Sequence, residues 1–236
     1  MFSVILPAAG KSSRFRDPHY KKPFAPLGNQ PVWQHSAQFF SQRKDVRQVI
    51  LVIAEEDQET FRNKFAGNAA LLGVEVVLGG AERYESVRKA LDRVDDKAEF
   101  IAVHDAARPC IAEVWVDRVF AAAQADDAAI LAIPVRGSLK RSDEGKKIAA
   151  SVSREGLWEA QTPQVFRREL LLEAYAQRAG VPATDDAQLV ENLGHPVTLV
   201  EGSPLNLKIT SREDLRLAKH FLNALPGKSL QEGFRG

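Results

Sequence analysis

The chain has 236 residues, 44% of them hydrophobic and 27% charged, a composition that suits a full hydrophobic core and excludes a disordered or fibrous protein. Its 32 basic and 31 acidic side chains nearly cancel, so no overall field points to nucleic acid, and no run of about 18 apolar residues points to a membrane. One cysteine, Cys110, excludes an internal disulfide and a cysteine-rich metal site. The opening residues lack the basic and long apolar regions of a signal peptide, so the expected compartment is the cytoplasm.

The first predicted strand is Phe2–Leu6, and it runs into Pro7-Ala8-Ala9-Gly10-Lys11-Ser12-Ser13-Arg14. Small residues let a backbone approach a ligand closely, and consecutive amides can face a phosphate. Two better-known motifs fail here. A dinucleotide fingerprint needs three spaced glycines, and a P-loop needs a glycine where Ile5 sits. A plain turn after a strand is the alternative reading, but Arg14 and Lys22 follow closely, and two cations beside such a loop suit a polyphosphate.

Trp33, Ser36, Ala37 and Phe40 share one helical face, and Gln48–Ile53 and Val74–Leu78 are the next strands. Gly79-Gly80-Ala81-Glu82-Arg83-Tyr84-Glu85-Ser86 then opens a helix faced by Val87, Ala90, Leu91 and Val94. The glycine pair permits a backbone that reads a base edge; a turn with solvated charges is the alternative. After the strand Phe100–Val103 comes His104-Asp105-Ala106-Ala107-Arg108-Pro109. An Asp and an Arg at a strand's carboxyl end suit a metal, a hydroxyl or a phosphate, or else pair with one another. His104 reads as a hydrogen-bonded structural histidine. The five histidines are scattered, which argues against zinc.

A helix with the face Val116, Val119, Phe120 and Ala123 leads to the strand Ala129–Ile133. These strands, read as buried on both faces and alternating with helices, predict a doubly wound α/β fold with a mainly parallel sheet. The polar stretch 137–154 predicts an exposed hairpin or arm. Helices are expected near Arg167–Arg178 and Asp185–Leu193. A last helix opens at Ser211-Arg212-Glu213-Asp214 with a capping pattern, buries Leu215, Leu217, Ala218, Phe221 and Leu222, and leaves a tail after Pro226. One domain over 1–226 is expected, followed by the tail 227–236. No Gly-x-Ser-x-Gly elbow and no Cys/His pair offers a covalent nucleophile.

Six segments in order resemble the 2-C-methyl-D-erythritol 4-phosphate cytidylyltransferases: Pro7-Ala8-Ala9-Gly10 with Arg14; Gly79-Gly80-x-x-Arg83-x-x-Ser86; His104-Asp105-Ala106-Ala107-Arg108-Pro109; Arg154-x-Gly156-Leu157-Trp158; Thr162-Pro163-Gln164; and Asn206-x-Lys208-x-Thr210. The resemblance implies a Rossmann-like nucleotidyltransferase fold, a homodimer, CTP and a small polyol phosphate as substrates, and a magnesium ion bound mainly through the CTP phosphates. It implies that Pro7–Gly10 cradles the nucleotide, that Arg14 and Lys22 stabilise the transition state, that Gly80, Ala81 and Ser86 face the cytosine, and that Ala106 lies near the ribose. Asp105, Arg108, Thr162 and Thr184 line the acceptor side by the same resemblance. Ser138 and Arg154 enter the partner's site from an exchanged arm, and Arg154 and Lys208 position the attacking phosphate. The chain departs from the family pattern at Ser12, at Ala81 and at Gly137-Ser138, and it places Lys21 beside Lys22. Ribitol 5-phosphate is the alternative acceptor, and a non-catalytic nucleotide-binding module is the reading from another class.

Overall fold

A computed structural model describes residues 1–10, 15, 17, 20–178 and 183–227. Strand β1 (Phe2–Pro7) starts the chain, and a 3-10 turn at Lys22–Phe24 precedes the small hairpin β2 (Pro26–Leu27) and β3 (Gln30–Pro31). Then follow α1 (Val32–Ser41), β4 (Val46–Ile53), a second 3-10 turn at Glu55–Asp57, α2 (Gln58–Lys64), α3 (Ala66–Leu71) and β5 (Val74–Leu78). The middle comprises α4 (Arg83–Leu91), β6 (Phe100–Val103), α5 (Glu113–Asp126), β7 (Ala128–Pro134), and the arm strands β8 (Leu139–Ser142) and β9 (Ile148–Val152). β10 (Trp158–Arg167), α6 (Arg168–Ala176), α7 (Asp186–Glu191), β11 (Thr198–Glu201) and α8 (Arg212–Phe221) complete it.

The seven-stranded sheet has the order β11-β7-β10-β6-β1-β4-β5. β1 is parallel to β4 and β6, β4 to β5, and β7 to β11, which bears out the mainly parallel expectation. The long strand β10 has no counterpart among the expected strands. It runs antiparallel between β6 and β7, because the short β8–β9 arm returns the chain without the helical crossover that a parallel pair needs. Its polar Gln161-Thr162-Pro163-Gln164 hides the strand pattern, and the pairing with β7 is irregular between Ala160 and Gln164. The Thr162–Pro163 peptide bond in that stretch is cis.

Alternation inside the apolar runs divides the core. Phe2, Val4 and Leu6, with Val49, Leu51 and Ile53, pack under α1 and α5, while Ile5, Ile50, Val52, Ile101 and Val103 pack under α4, α6 and α7. A smaller cluster of Phe15, Leu27, Val32, Cys110, Ile209 and Ala218 seats α8. Two expectations change. β5 is only partly buried because it is the sheet's edge, and Leu217 is 48% exposed because it lies about 200° around α8 from Leu215. The capping box at Ser211 and Asp214 is present. The arm strands are exposed, as expected. No helix among the described residues is long and apolar enough to cross a membrane.

Candidate active site

In a sheet ordered this way, chain connections leave β1 toward β4 on one side while β6 lies on the other, so a crevice opens between β1 and β6 at their carboxyl ends. An open cleft occupies that place. Pro7, Ala8, Ala9 and Gly10 form one wall, Gly80, Ala81, Glu82, Arg83 and Ser86 a second, and Asp105, Ala107 and Lys208 a third, with Lys22 and Pro23 completing the lining.

The glycine pair is dictated by packing. A Cβ on Gly79 would lie 2.6 Å from Ser86 Oγ and 2.9 Å from Ala9 Cβ, and one on Gly80 would lie 2.4 Å from Glu85 Cβ. Ser86 Oγ accepts the Gly80 N–H at 3.1 Å, and Glu85 accepts the Ala81 N–H at 2.7 Å within a capping box that starts α4. Lys89 closes the turn by donating to the Gly79 carbonyl at 2.8 Å.

Lys208 reaches the cleft because its segment is tied to the loop after β6. The Ile209 N–H donates to the Ala107 carbonyl at 2.8 Å, Arg108 Nη1 donates to the Asn206 carbonyl at 2.6 Å, and Asn206 Nδ2 donates to the Thr162 carbonyl at 2.8 Å. Lys208 Nζ then lies 2.7 Å from Asp105 Oδ2, with Arg108 Nε 3.7 Å from the same oxygen and Arg83 Nε 4.0 Å from Oδ1. Burial alone would raise the Asp105 pKa, but the fields of Lys208, Arg83 and Arg108 hold it well below the usual carboxylate range. Arg83 is itself anchored, donating from Nη1 and Nη2 to the two oxygens of buried Asp186 at 3.1 and 2.6 Å. Tyr175 also donates its hydroxyl to Asp186.

His104 lies beneath this wall. Its Nε2 faces the Arg108 carbonyl at 3.0 Å and so carries the proton, which leaves Nδ1 to accept from the Thr162 hydroxyl at 3.1 Å. The Thr162 oxygen in turn accepts the Asp105 N–H at 3.1 Å. Burial lowers the His104 pKa to about 4, so the ring is neutral and structural, in line with its sequence context.

The structure therefore gathers Pro7–Gly10, Lys22, Gly80, Ala81, Ser86, Asp105 and Lys208 around one cleft. Arg108 and Thr162 are buried behind it, and Ala106 is fully buried while Ala107 supplies the wall. Thr184 is exposed, with its N–H and hydroxyl both on Gln188 at 2.8 and 3.2 Å. Ser138 and Arg154 are exposed at the two ends of the arm, and Arg154 donates to the Arg136 carbonyl. Arg14 lies outside the described residues. The sequence marks Arg83 as part of a motif but gives it no role; its partner Asp186 is 103 positions away, and no local pattern announces such a pair. The neighbouring lysines separate cleanly, since Lys21 binds Glu56 and Asp57 while Lys22 lines the cleft.

A cleft with a small-residue loop, a glycine pair and cations, and with no nucleophile–base couple among the described residues, suits the binding of phosphates and the transfer of charged groups. Residues 2–224 match the family model for 2-C-methyl-D-erythritol 4-phosphate cytidylyltransferase. The chain is 46% identical over 233 residues to the 2-C-methyl-D-erythritol 4-phosphate cytidylyltransferase of Rhodopirellula baltica, covering 94% of each. It is 39% identical to that of Bacillus velezensis over 96% of this chain and 97% of the relative. The crystal structure of the 2-C-methyl-D-erythritol 4-phosphate cytidylyltransferase from Thermus thermophilus is similar, with TM-score 0.75 and 36% identity over 94% of this chain and 98% of that one. The Francisella tularensis structure has TM-score 0.80 at 26% identity, over 94% and 99%.

Proposed function

The chain belongs to the 2-C-methyl-D-erythritol 4-phosphate cytidylyltransferase family, and from that membership we propose how its own residues carry the reaction. It is a nucleotidyltransferase of isoprenoid precursor biosynthesis that moves CMP from CTP to 2-C-methyl-D-erythritol 4-phosphate. An acceptor phosphate oxygen attacks the α-phosphorus of CTP, a new phosphoanhydride bond forms, and the bond to the bridging oxygen breaks as pyrophosphate leaves with its electron pair. The attacking oxygen is already anionic near neutral pH, so the protein needs no strong base. Its work is to align two anions and to stabilise the charge that gathers on the α-phosphate.

In our reading Pro7–Gly10 cradles the triphosphate, and Gly80, Ala81 and Ser86 hold the cytosine, supported by the close packing of the glycine pair against Glu85 and Ser86. The ribose lies against Ala107 and the backbone of Ala106. Lys22 stabilises the transition state together with Arg14. Lys208 positions the acceptor phosphate, supported by its fixed segment and by Asp105 beside it, and Asp105, Arg108, Thr162 and Thr184 form the acceptor side. Ser138 and Arg154 serve the partner's site in a homodimer, supported by the exposed hairpin that carries them.

Magnesium fits as an ion carried by the nucleotide. The wall offers the carboxylates of Glu82 and Asp105, and among the described residues no group of three or more acids, histidines or cysteines forms a cage, a donor set typical of a phosphate-borne ion. Such an ion would draw charge from the phosphates. One domain over 1–226 with a tail, and a cytoplasmic enzyme, complete the reading. The observation that carries it is the meeting of Lys22, Lys208 and the phosphate-shaped loop at the switch point of the sheet.

Pyrophosphate release from CTP tests it. We expect release with 2-C-methyl-D-erythritol 4-phosphate and little with ribitol 5-phosphate; release with ribitol 5-phosphate alone would overturn the acceptor assignment, and release with neither would favour a binding module.

A further inference from the structure

Two adjacent lysines stand where one cation of the reaction is expected, and the fold uses them differently. Lys21 has extended backbone angles, φ −71° and ψ 147°, and leads into the 3-10 turn Lys22–Phe24. The Lys21 ammonium turns away from the cleft onto Glu56 and, at 2.9 Å, onto Asp57 Oδ1. Both acids lie in the 3-10 turn after β4, and Asp57 is only 7% exposed, so a partner offsets the cost of burying its side chain. Burial by itself would lower the Lys21 pKa, but these hydrogen bonds outweigh it and raise the value. Three residues on, Phe24 is buried against Phe65 at 5.5 Å and near Phe61 at 6.2 Å between ring centroids. The short segment that carries Lys22 is thus held to one neighbouring stretch, Glu55–Phe65, by an ionic contact before Lys22 and an aromatic one after it.

We propose that Lys21 is a positioning residue for the transfer reaction: its ion pairs with Glu56 and Asp57 set the direction in which Lys22 enters the cleft. A lysine side chain is a flexible four-carbon stem that must be ordered for the transfer, and fixing the backbone beneath it removes part of that cost. The inference rests on Lys22 acting in the transition state, and the test separates the two.

Pyrophosphate release is measured for the full chain and for Lys21→Met, Lys21→Arg, Glu56→Gln, Lys22→Met and the double variant, each shown to be folded by its thermal midpoint. Lys22→Met should lose about 10²–10³ in kcat, the scale of one lost charge-stabilising donor. Lys21→Met should lose about tenfold in kcat with the KM for CTP within about twofold, since alignment rather than binding is disturbed. Lys21→Arg should return to within about twofold of the parent, because it keeps both ion pairs. In the Lys22→Met background, Lys21→Met should cost less than about twofold, the group it aims being gone. The same tenfold loss in both backgrounds, or full activity in Lys21→Met, overturns the clamp while leaving Lys22 in its role. Full activity in Lys22→Met removes the premise instead. Should Lys21→Met not fold, Glu56→Gln at the exposed end decides, with an expected two- to threefold loss in kcat on the same alignment argument; an unchanged kcat there would count against the clamp.

Discussion

His104 and Asp105 are consecutive and both buried, yet one is neutral and the other charged because of what surrounds them. Three cations keep the carboxylate charged, whereas the ring faces one carbonyl, one hydroxyl and the edge of Phe40 at 5.2 Å. The pH consequence for His104 follows from linkage. Its folded pKa of about 4 lies below an unfolded value near 6.5, so below that value the unfolded chain binds the proton first. Stability from neutral His104 is complete above pH 6.5 and is lost as pH falls toward 4. Between pH 7 and 5 this amounts to about 2 kcal/mol. Urea unfolding at both pH values should show His104→Gln losing less than the parent over that interval, whatever its absolute stability; an equal loss would assign the acid sensitivity to other groups. The sequence suggests that His104 is structural, because a lone histidine offers no catalytic partner. It cannot sort Lys21 from Lys22 by chemistry, since both side chains are the same and only Glu56 and Asp57, delivered by another strand, tell them apart.

At the scale of elements, the turn from β5 into α4 shows how tightly local sequence is tied to the site. Gly79 and Gly80 read as a backbone that admits a base, and the structure adds that a methyl group at either position collides with α4's first turn or with Ala9. Gly80→Ala must displace Glu85, which holds the Ala81 N–H. We expect the KM for CTP to rise about tenfold or more with the KM for the acceptor changed little, as for a misplaced binding element. Initial-rate measurements with each substrate varied in turn check this; equal rises in both constants would place the damage elsewhere. Helix faces and apolar strands are legible because each carries its own period, as the buried rows of α1, α4 and α5 bear out. β10 is not, since its middle is polar and turned toward the site. There Gln164 accepts the N–H groups of Asp186 and Ala187 at 3.1 and 3.0 Å, so side chains that look like loop chemistry are buried in a sheet.

For the whole molecule, the arm between β7 and β10 reverses the chain, makes β10 antiparallel and carries Ser138 and Arg154 out of the wall of the cleft. Ile148 on the arm is 68% exposed and Trp158, where β10 begins at the arm's base, is 40% exposed, apolar surface of the kind a contact with a second copy would cover. If the arm completes the partner's site, mixing inactive Arg154→Ala and Lys22→Ala chains should recover activity, approaching a quarter of the parental sites at random pairing, a symmetry argument for a two-fold dimer. No recovery in mixed dimers verified by differential tagging would show that each chain works alone. The sequence by itself determined the layered α/β fold, the loops that line the cleft and the family, because strand periods, glycine turns and motif order are properties of neighbouring residues. Only the tertiary structure decided that Lys208 meets Asp105, that Arg83 is anchored by Asp186, that Ala107 rather than Ala106 lines the cleft, and that Lys22 rather than Lys21 faces it. Those outcomes depend on groups about 35 to 103 positions apart brought together by sheet order and by hydrogen bonds to backbone, and no local pattern encodes such a meeting.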